Sequence, residues 1–312
     1  MSRTNRWRWL VAMLAALTLL GAACGGGDDD EDAGGTGTGT TTETDVEEFP
    51  ADTTMGKIQE RGTLIAGVKY DVPPFGFKNP QTNEVEGFDV DIAQEIADRL
   101  GVELDAIEAI SDNRIPFLKD GTVHIIASTM TITTDRDVEI DFSEPYYIAN
   151  GRILVGPDGG DIATLEDLKG KSACTALGST YEGLLKDVKG IDVQLPETYS
   201  ECFELIQNGS VDAVVTDDVI LTGMIIQDDT LQMVGEELTV EPYGIGVPED
   251  DTDMQEFVNS VLAELYENGR YDEIYQEWVG QYTDTETEIP DMTLEEALEL
   301  RPCEELCDQV EK

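Results

Sequence analysis

Short apolar runs alternate with helical segments from Lys57 onward, and no other feature restricts the possible folds of this 312-residue chain as much. The runs are TLIAGV, VHIIAS, RILVG, VDAVVT and YGIGV. Their length and apolar content predict buried strands of a parallel sheet. Between the first two, FDVDIAQEIADRLG repeats its apolar residues every three or four positions and ends at Gly101, which predicts an amphipathic helix. This order indicates an α/β fold that binds ligands at the carboxyl ends of its strands.

The alternating pattern extends over residues 57–282, which is long for one sheet because single domains usually have about 100–150 residues. Glycine and proline interrupt it twice, in PYYIANGRILVGPDGG and in EPYGIGVPED. We therefore expect two lobes, the first formed by residues 57–152 and 242–282 and the second by residues 153–241. Because the chain crosses to the second lobe and returns, two strands should form a hinge beneath a ligand cleft.

The N-terminus has the features of a secretory signal. Three arginines precede an apolar run from Trp9 to Leu20, and small residues lead to Cys24. The run has about a dozen residues, whereas a membrane-spanning helix needs roughly twenty. Residues 1–23 are therefore predicted to be a signal peptide, with a retained transmembrane helix as the alternative. The position of Cys24 resembles a bacterial lipobox, which predicts lipidation of this cysteine; secretion without a lipid is the alternative.

Residues 24–56 consist mostly of glycine, threonine and acidic residues, with very little to bury. Such a composition predicts a disordered tether. A lipid anchor followed by a flexible tether would hold the folded part outside the cell, at the outer face of the cytoplasmic membrane. At the other end, residues 283–312 form a tail that is predicted to be helical and to be interrupted at Pro302.

The chain is strongly acidic, with 67 Asp and Glu against 19 Lys and Arg and a net charge of −48. A field of this sign makes nucleic acid and anionic lipid surfaces poor partners. We interpret the acidic residues as a hydrated surface suited to a high-salt environment rather than as a specific cation site. The sequence has no metal-ligand spacing, so neither a metal nor a cofactor is expected.

Besides Cys24, the chain has four cysteines: Cys174, Cys202, Cys303 and Cys307. Export to an oxidising compartment predicts two disulfides, and four cysteines allow three pairings. Spacing alone favours only Cys303–Cys307, because these two residues lie four positions apart in the tail.

A cluster of hydroxyl groups follows the run VHIIA, in the sequence STMTITTDR. Ser128, Thr129, Thr131 and Arg136 lie where a strand would end. Hydroxyl and backbone donors, together with a guanidinium that donates two parallel hydrogen bonds, make a binding site for a carboxylate. The alternative is a β-turn with capping hydroxyls and a surface arginine.

Two further segments offer partners for this site. Gly178, Ser179 and Thr180 lie at the start of a predicted helix, where free amides bind anions, although a plain helix cap has the same sequence. Asp217 and Asp218 follow the predicted strand VDAVVT. A carboxylate at that position would bind an ammonium group; solvated or capping acids are the alternative.

The sequences GVKYDVPPFGFKNPQTNEVEGFDVDI, RIPFLKDGTVHIIASTMTITTDR, SACTALGSTYEGL and YSECFELIQNGSVDAVVTDD resemble the amino-acid-binding proteins of ABC importers, solute-binding protein family 3. They are similar in particular to the glutamate-binding lipoproteins of Gram-positive actinobacteria, from Lys57 to Gly280. The resemblance implies a monomer with a type II periplasmic-binding-protein fold and a membrane permease as partner. It implies glutamate as the ligand, with aspartate and glutamine as open alternatives.

The resemblance also implies roles for the residues at the hydroxyl-rich strand end. Arg136 would pair with the α-carboxylate of the ligand, beside Thr131 and either Ser128 or Thr129. Thr180 would meet the same carboxylate from the second lobe.

Further roles are implied for the opposite side of the ligand. Asp217 would bind the α-ammonium group, and Tyr70 with Phe75 would form an aromatic wall over the ligand. The actinobacterial relatives also carry the pair Cys174 and Cys202, which implies a disulfide between them.

Two cations are candidates for contact with the side chain of the ligand. Arg114 lies where relatives that bind other amino acids have an apolar pocket residue, and a buried cation there would select an anionic side chain. Lys69 is the second candidate. The alternative for Arg114 is a residue at a helix start that pairs with Asp112 or Asp120 on the surface.

Two other classes of function are alternatives: a secreted enzyme on the same fold, such as a dehydratase of cyclic amino acids, and a ligand sensor. The chain has one histidine, His124, and no Cys–His pair or Ser-x-x-Lys motif, which disfavours an enzyme. We therefore expect a binding protein without catalytic residues.

Overall fold

The computed structural model describes residues 46–283 and 285–300. The predicted signal peptide (residues 1–23), the lipidation site Cys24, most of the predicted tether and the Cys303–Cys307 pair lie outside these ranges. Within the two ranges, no helix is both long enough and apolar enough to cross a bilayer.

The elements of the described ranges are mostly short strands and helices in alternation. The strands are β1 (Thr63–Val68), β2 (Asp71–Val72), β3 (Gly76–Lys78), β4 (Val85–Glu86), β5 (Glu103–Glu108), β6 (Ile125–Ile126), β7 (Asp141–Phe142), β8 (Tyr147–Val155), β9 (Ser172–Cys174), β10 (Asp192–Gln194), β11 (Ala213–Asp217), β12 (Gln232–Val234), β13 (Val240–Tyr243) and β14 (Gly246–Val247). The α-helices are α1 (Thr54–Arg61), α2 (Phe88–Leu100), α3 (Arg114–Lys119), α4 (Thr134–Asp137), α5 (Thr180–Asp187), α6 (Tyr199–Gln207), α7 (Asp218–Gln227), α8 (Thr252–Asn268), α9 (Arg270–Tyr275), α10 (Gln281–Thr283) and α11 (Leu294–Glu299). A 3₁₀-helix forms at Leu165–Leu168 and a π-helical turn at Gln276–Gly280.

Lobe 1 is built on a sheet of order β5-β1-β6-β14-β7. β1 pairs in parallel with β5 and β6, whereas β14 pairs antiparallel with β6 and β7. Helix α2 buries Ile92, Ile96 and Leu100 in the main apolar core and ends at Gly101 in the left-handed conformation (φ 69°). The strand predicted at TLIAGV and the helix predicted after it are both confirmed.

Lobe 2 contains a second sheet, of order β10-β9-β11-β8-β12. β9 pairs in parallel with β10 and β11, and β8 runs antiparallel to β11 and β12. The apolar side chains of Ile153, Leu185 and Val215 belong to a cluster of their own. Lobe 2 therefore has a sheet and an apolar interior separate from those of lobe 1.

Two strands connect the lobes. β8 starts at Tyr147 beside lobe 1 and ends in the sheet of lobe 2, and β13 returns next to it. Val240 lies opposite Asn150, and Tyr243 lies opposite Tyr147. This antiparallel pair is the two-stranded hinge that the fold class predicts.

The prediction that all the apolar runs form parallel strands is wrong for RILVG and YGIGV. RILVG lies in β8, which is antiparallel to β11, β12 and β13, and YGIGV contributes to β13 and β14, which are antiparallel to their partners. Both runs belong to the crossings between the lobes, where the outgoing and returning chains have opposite directions. Apolar content reports burial on both faces of a strand and does not report its direction.

The folded body begins before residue 56, where the tether was predicted to end. The Phe49 ring lies edge-on against Phe257, with centroids 5.3 Å apart. The Gln59 side chain accepts from the Phe49 amide and donates to the Glu47 carbonyl. Helix α1 then starts at Thr54. An aromatic residue in an otherwise polar stretch is the sequence signal for this earlier start.

Cys174 and Cys202 form a disulfide, with Cα atoms 5.6 Å apart. This is the pairing that the family resemblance implies. The bond joins β9 to α6 within lobe 2, and both residues are fully buried.

We expect the double substitution Cys174→Ala, Cys202→Ala to lower the free energy of unfolding by about 2–4 kcal/mol. The bond joins residues 28 positions apart and therefore restricts the unfolded chain. Denaturant unfolding of the double variant and of the oxidised wild type measures the difference, and reduction of the wild type should reproduce it. A loss below about 0.5 kcal/mol, the range of ordinary surface substitutions, would contradict this expectation.

Candidate ligand-binding cleft

The two lobes contact each other through direct hydrogen bonds. The Asp71 carboxylate of lobe 1 accepts from the amides of Tyr199 and Ser200 at the N-terminus of α6 (2.7 and 3.1 Å). The Arg136 guanidinium of lobe 1 donates to the Gly178 carbonyl of lobe 2 (3.1 Å). The lobes are therefore closed on each other, and polar groups between them are shielded from water.

A pocket of about 490 Å³ lies between the lobes. Arg136 lines it from lobe 1, Ser179 and Thr180 line it from lobe 2, and Glu241 lines it from the hinge. Helix α5 starts where it was predicted, with Ser179 at the N-cap position, and the Ser179 side chain makes no capping hydrogen bond. The structure thus brings three predicted site residues together, and a guanidinium facing a helix N-terminus is suited to an anion.

The hydroxyl-rich segment after β6 turns sharply at Thr129, whose φ of 43° is left-handed. A β-branched residue rarely adopts this conformation, so its neighbours must hold it. The Thr129 amide donates to the Asp89 carboxylate (2.8 Å), and its carbonyl accepts from Arg114 (2.9 Å). Asp89 and Arg114 therefore hold the turn from both sides.

Asp89 is a site residue that the sequence analysis did not find. It lies fully buried in the first turn of α2, and its other oxygen accepts from the Tyr146 hydroxyl (2.6 Å). Burial raises the pKa of Asp89 to about 7, although the hydrogen bonds from Tyr146 and Thr129 oppose this shift. Its place in the motif GFDVDI is the one signal in the sequence, and that motif was interpreted as a helix and as part of the family resemblance, with no role assigned to Asp89.

Arg114 is only 2% exposed, so the alternative of a surface arginine paired with Asp112 or Asp120 is wrong. Burial, followed by the charge of Arg136, lowers the pKa of Arg114 to about 9. The side chain therefore stays cationic at neutral pH in a site where a second cation lies near.

The Arg114 guanidinium is oriented by backbone carbonyls. Nη1 donates to Ser128 (2.8 Å) and Thr129 (2.9 Å), and Nε donates to Ser111 (3.2 Å). Nη2 has no hydrogen bond to any residue that the structure describes. The contacts place this cation at the end of β6 and leave one of its nitrogens for a ligand.

Lys69 directly follows β1 and is also only 2% exposed. Its Nζ donates to the Ser111 hydroxyl (2.7 Å) and lies 5.7 Å from the centre of the Tyr199 ring, which belongs to lobe 2. Burial, followed by the charge of Arg114, lowers the pKa of Lys69 to about 7. Lys69 and Arg114 are therefore neighbouring buried basic groups, and an anion beside Lys69 would favour its charged form.

Arg136 bridges the strand end and the opposite lobe. Its Nη1 donates to the Thr131 carbonyl (2.7 Å), and its Nη2 makes the bond to Gly178. Burial lowers the pKa of Arg136, while the charges of Glu241 and Asp217 counteract the shift. A guanidinium in this position meets groups from both lobes.

Asp217 is the last residue of β11 and is 4% exposed, so it is not a solvated acid. One of its oxygens accepts from the Tyr181 hydroxyl and the other from the Tyr243 hydroxyl, each at 2.7 Å. Burial, followed by the charge of Glu241, raises the pKa of Asp217. The neighbouring Asp218 is the first residue of α7, and its carboxylate accepts from the amides of Val219 and Asn150.

Glu241 is a second acid that the sequence analysis did not find. It lies in β13, fully buried, and its Oε2 accepts from the Thr180 hydroxyl (3.1 Å). Its Oε1 has no hydrogen-bond partner among the described residues. Burial raises the pKa of Glu241. A buried carboxylate oxygen without a donor is unfavourable, and a donor from a ligand would stabilise it.

Ser128 and Thr131 are buried at the strand end, as predicted. The Ser128 hydroxyl donates to the Ala109 carbonyl (2.9 Å), and Thr131 forms a β-bridge with Tyr243 of the hinge. The strand-end segment is therefore fixed to the sheet of lobe 1 and to the hinge.

The predicted aromatic wall is divided between two environments. Phe75 packs against Phe88 and Tyr147 in the core, with ring centroids 5.1 and 4.9 Å apart. Tyr70 donates its hydroxyl to the Ala106 carbonyl of β5 (2.8 Å), and its ring lies 5.3 Å from the Nζ of Lys78. The ring beside Lys69 is that of Tyr199, which the sequence analysis did not single out.

Opposite charges near the contact between the lobes come from different parts of the fold, and two of the residues, Arg136 and Glu241, line the pocket. Lys69, Arg114 and Arg136 belong to lobe 1, Asp217 belongs to lobe 2 and Glu241 belongs to the hinge. This arrangement can bind an anionic and a cationic group of one small molecule at the same time. In the described part of the chain, no three His, Cys, Asp or Glu side chains are grouped as metal ligands would be.

Comparison with known proteins identifies relatives over most of this chain. Residues 64–281 match the family of bacterial extracellular solute-binding proteins, family 3. The ABC transporter glutamine-binding protein GlnH of Bacillus subtilis is 39% identical over 233 residues, which cover 73% of this chain and 85% of GlnH. The glutamate-binding protein GluB of Corynebacterium efficiens is 36% identical over 237 residues, which cover 71% of this chain and 80% of GluB. A solved structure of an ancestral arginine-binding protein bound to glutamine has a TM-score of 0.68 and 39% identity, over 70% of this chain and 99% of that one.

The chain therefore belongs to the bacterial extracellular solute-binding proteins of family 3. The family predicted from the motifs and the two-lobed fold are both confirmed. The relatives differ in the amino acids for which they are named, so membership of the family does not fix the side chain of the ligand.

We expect Asp89→Asn to lower the free energy of unfolding by about 1–3 kcal/mol, because the new amide nitrogen would face one of two donors, the Tyr146 hydroxyl or the Thr129 amide. Affinity for amino-acid ligands should fall as well, since the turn at Thr129 loosens. Denaturant unfolding and calorimetric titration measure the two effects. Asp98→Asn, on the exposed face of the same helix, is the matched control. Equal stability of the two variants would contradict this role for Asp89.

Proposed function

We propose that this chain is the substrate-binding component of an ABC importer and that it captures an acidic amino acid, glutamate, for delivery to a membrane permease. The importer role is supported by the family and by relatives such as GlnH, an ABC transporter component, and GluB, a glutamate-binding protein. One observation carries the choice of side chain: Lys69 and Arg114 are buried basic residues of lobe 1 that both bond to Ser111, and Lys69 lies beside the Tyr199 ring of lobe 2.

The proposed orientation of the ligand follows from the charges. The α-carboxylate binds the Arg136 guanidinium and the helix N-terminus at Thr180. The α-ammonium group lies between Asp217 and Glu241 and donates to the Oε1 atom of Glu241, which has no partner among the described residues. In this orientation the ligand connects lobe 1, lobe 2 and the hinge.

The side chain of the ligand then extends towards Lys69 and Arg114. Two cations in a site of low dielectric constant repel each other, and an anion between them offsets that repulsion. Hydrogen bonds to charged groups contribute about 1.5–3 kcal/mol each. Glutamine can accept hydrogen bonds from both cations but brings no charge, and the side chain of aspartate is one methylene shorter. Both are therefore weaker ligands in this proposal.

Ligand binding favours the closed arrangement of the lobes because only that arrangement lets Arg136 and Asp217 engage one molecule together. A ligand shifts such an equilibrium by its difference in affinity for the two states. The closed, loaded form would present the permease with a surface that the open form lacks.

We also propose that a lipid on Cys24 anchors the mature protein to the outer face of the cytoplasmic membrane. The polar sequence that follows Cys24 would serve as a tether. A tethered body can reach a permease without entering the bilayer.

In this proposal the ligand leaves the cleft chemically unchanged. The Asp217 carboxylate is already engaged by two tyrosine hydroxyls and serves as a counter-charge rather than as a general base. Incubation with prephenate-like or arogenate-like substrates, followed by chromatography, should reveal no product. Turnover would favour the enzyme alternative.

Lys69→Met tests the side-chain assignment because it removes one cation and keeps nearly the same volume. We expect glutamate affinity to fall about 10- to 100-fold and glutamine affinity to change by less than about threefold. Arg136→Ala should abolish the binding of both, since the α-carboxylate loses its partner. Isothermal titration calorimetry measures these affinities. Lys69 is a cleaner test than Arg114, which also holds the Thr129 turn.

Lys78→Met, at an exposed lysine of β3, is the matched control for loss of a positive charge. It should leave both affinities unchanged. An equal loss of glutamate and glutamine binding in Lys69→Met would end the assignment of an acidic side chain and leave the importer assignment intact.

Glutamate affinity should also depend on pH. The pKa of Lys69 is about 7 in the closed cleft without ligand, and an anion beside it raises that pKa, so binding takes up a proton. The contribution of Lys69 to affinity therefore declines by up to about tenfold per pH unit above pH 7, until the pKa of the complex is reached. Burial raises the pKa of Asp217 to about 7, so protonation of the acid that meets the ammonium group weakens binding on the other side of pH 7.

Calorimetry between about pH 7.5 and 9, where Lys69 titrates, Asp217 is mostly ionised and a normal lysine does not titrate, measures this decline. Lys69→Arg keeps the charge over the whole range and should remove the decline. Glutamine affinity should vary less than glutamate affinity. A glutamate affinity that is the same at both ends of the range in the wild type would contradict the expectation.

A further inference from the structure

We propose that residues 285–300 are a positioning element that fixes the short helix carrying Arg136 in the ligand site. These residues, named here the C-terminal strap, lie beyond residues 64–281, which match the family. The proposal rests on the ligand-binding role proposed for Arg136.

The strap is bonded to lobe 1 where it begins. The hydroxyls of Tyr275 and Thr285 are 3.0 Å apart, and the Gln276 side chain donates to the Thr287 hydroxyl at 3.0 Å. Tyr275 ends α9, and Gln276 begins the π-helical turn. The strap therefore starts from the last elements of the family-matched fold.

Helix α11 is the docked part of the strap. Its first turn is closed by a capping box between Thr293 and Glu296. The Leu294 amide donates to the Glu144 carboxylate (2.6 Å), and the Glu144 amide in turn donates to the Asn259 side chain (2.7 Å). This end of α11 is thereby attached to the connection between β7 and β8.

The other end of α11 reaches the helix that carries Arg136. The Leu298 carbonyl accepts from the Thr134 hydroxyl (3.0 Å). Thr134 is the first residue of α4, which has no buried residue of its own. Core packing therefore does not hold α4, and its position depends on the bonds that it makes to neighbouring elements.

The apolar side of α11 packs behind the ligand-binding segment. Ala297 is fully buried in a cluster that includes Met130 and Ile132. These two residues alternate along the chain with the predicted site residues Thr129 and Thr131. The strap thus supports the reverse side of the segment whose other side chains belong to the site.

The same apolar cluster extends to the helix of Arg114. Ile115 and Phe117 of α3 pack against it, as do Leu294 and Leu298 of the strap. One surface of the strap therefore supports both arginines that the ligand is proposed to meet.

Thr134→Val and Thr134→Ser test the bond between the strap and α4. The valine variant removes the donor to Leu298 and keeps the side-chain shape, whereas the serine variant keeps the donor. We expect Thr134→Val to weaken glutamate binding about two- to tenfold in calorimetry, and Thr134→Ser to bind as the wild type does.

Ala297→Asp tests the apolar contact, because it places a charge in a fully buried position. It should weaken glutamate binding more than Thr134→Val does. It should also speed amide hydrogen exchange in residues 133–138, a measurement that reports on α4 without any ligand.

Leu168→Ala, in the separate apolar cluster of lobe 2, is the control for a general loss of stability. It should lower Tm and leave both the affinity and the exchange of residues 133–138 unchanged. If Ala297→Asp lowers Tm and leaves those two quantities unchanged, the strap only adds stability and the positioning role is overturned. Equal affinities of Thr134→Val and Thr134→Ser would overturn it as well.

The proposed function fails by a different result: no glutamate binding by the wild type, or normal binding by Arg136→Ala. In that case the amide hydrogen exchange of residues 133–138 in Ala297→Asp still tests whether the strap positions α4. Faster exchange supports its hold on α4, and unchanged exchange overturns it.

Discussion

Burial of cationic side chains between the lobes is the constraint on which the rest of this structure depends. Taking a charge out of water is unfavourable unless acceptors or an opposite charge replace the water. Arg114 has three backbone carbonyls as acceptors and Lys69 has one hydroxyl, yet none of the ion pairs in the described ranges includes either residue. An anionic ligand would supply the missing charge. Burial of these groups would then oppose closure of an empty cleft and favour closure around such a ligand.

The groups that form the cleft also hold its shape. Arg114 faces the cleft and at the same time bonds the carbonyl of Thr129, whose left-handed turn Asp89 holds from the other side. Arg136 lies on a helix without buried residues, which the C-terminal strap contacts through Leu298. Affinity and local stability are consequently coupled in this lobe. A substitution behind the site can therefore change ligand affinity even though the substituted residue does not contact the ligand.

Sequence patterns predicted the parts of the fold that depend on neighbouring residues. The period of α2, the glycine that ends it and the start of α5 after Gly178 are local signals, and the structure has each of them where expected. Asp89, Tyr199 and Glu241 gave no such signal because their roles arise from contacts between segments far apart in the chain. Glu241 lies within an apolar strand of the hinge, and only the crossing of the chain between the lobes brings it to Thr180. The direction of β8 was unpredictable for the same reason.

A crystal structure with bound glutamate is the most direct measurement of the central claim, that cations of one lobe and acids of the other lobe and hinge grip one zwitterion. We predict α-carboxylate oxygens about 3 Å from the Arg136 guanidinium, a side-chain carboxylate at the same distance from Lys69, and the ammonium group between Asp217 and Glu241. A ligand in the reverse orientation, with its ammonium group beside Lys69, or a ligand that contacts one lobe alone, would contradict it.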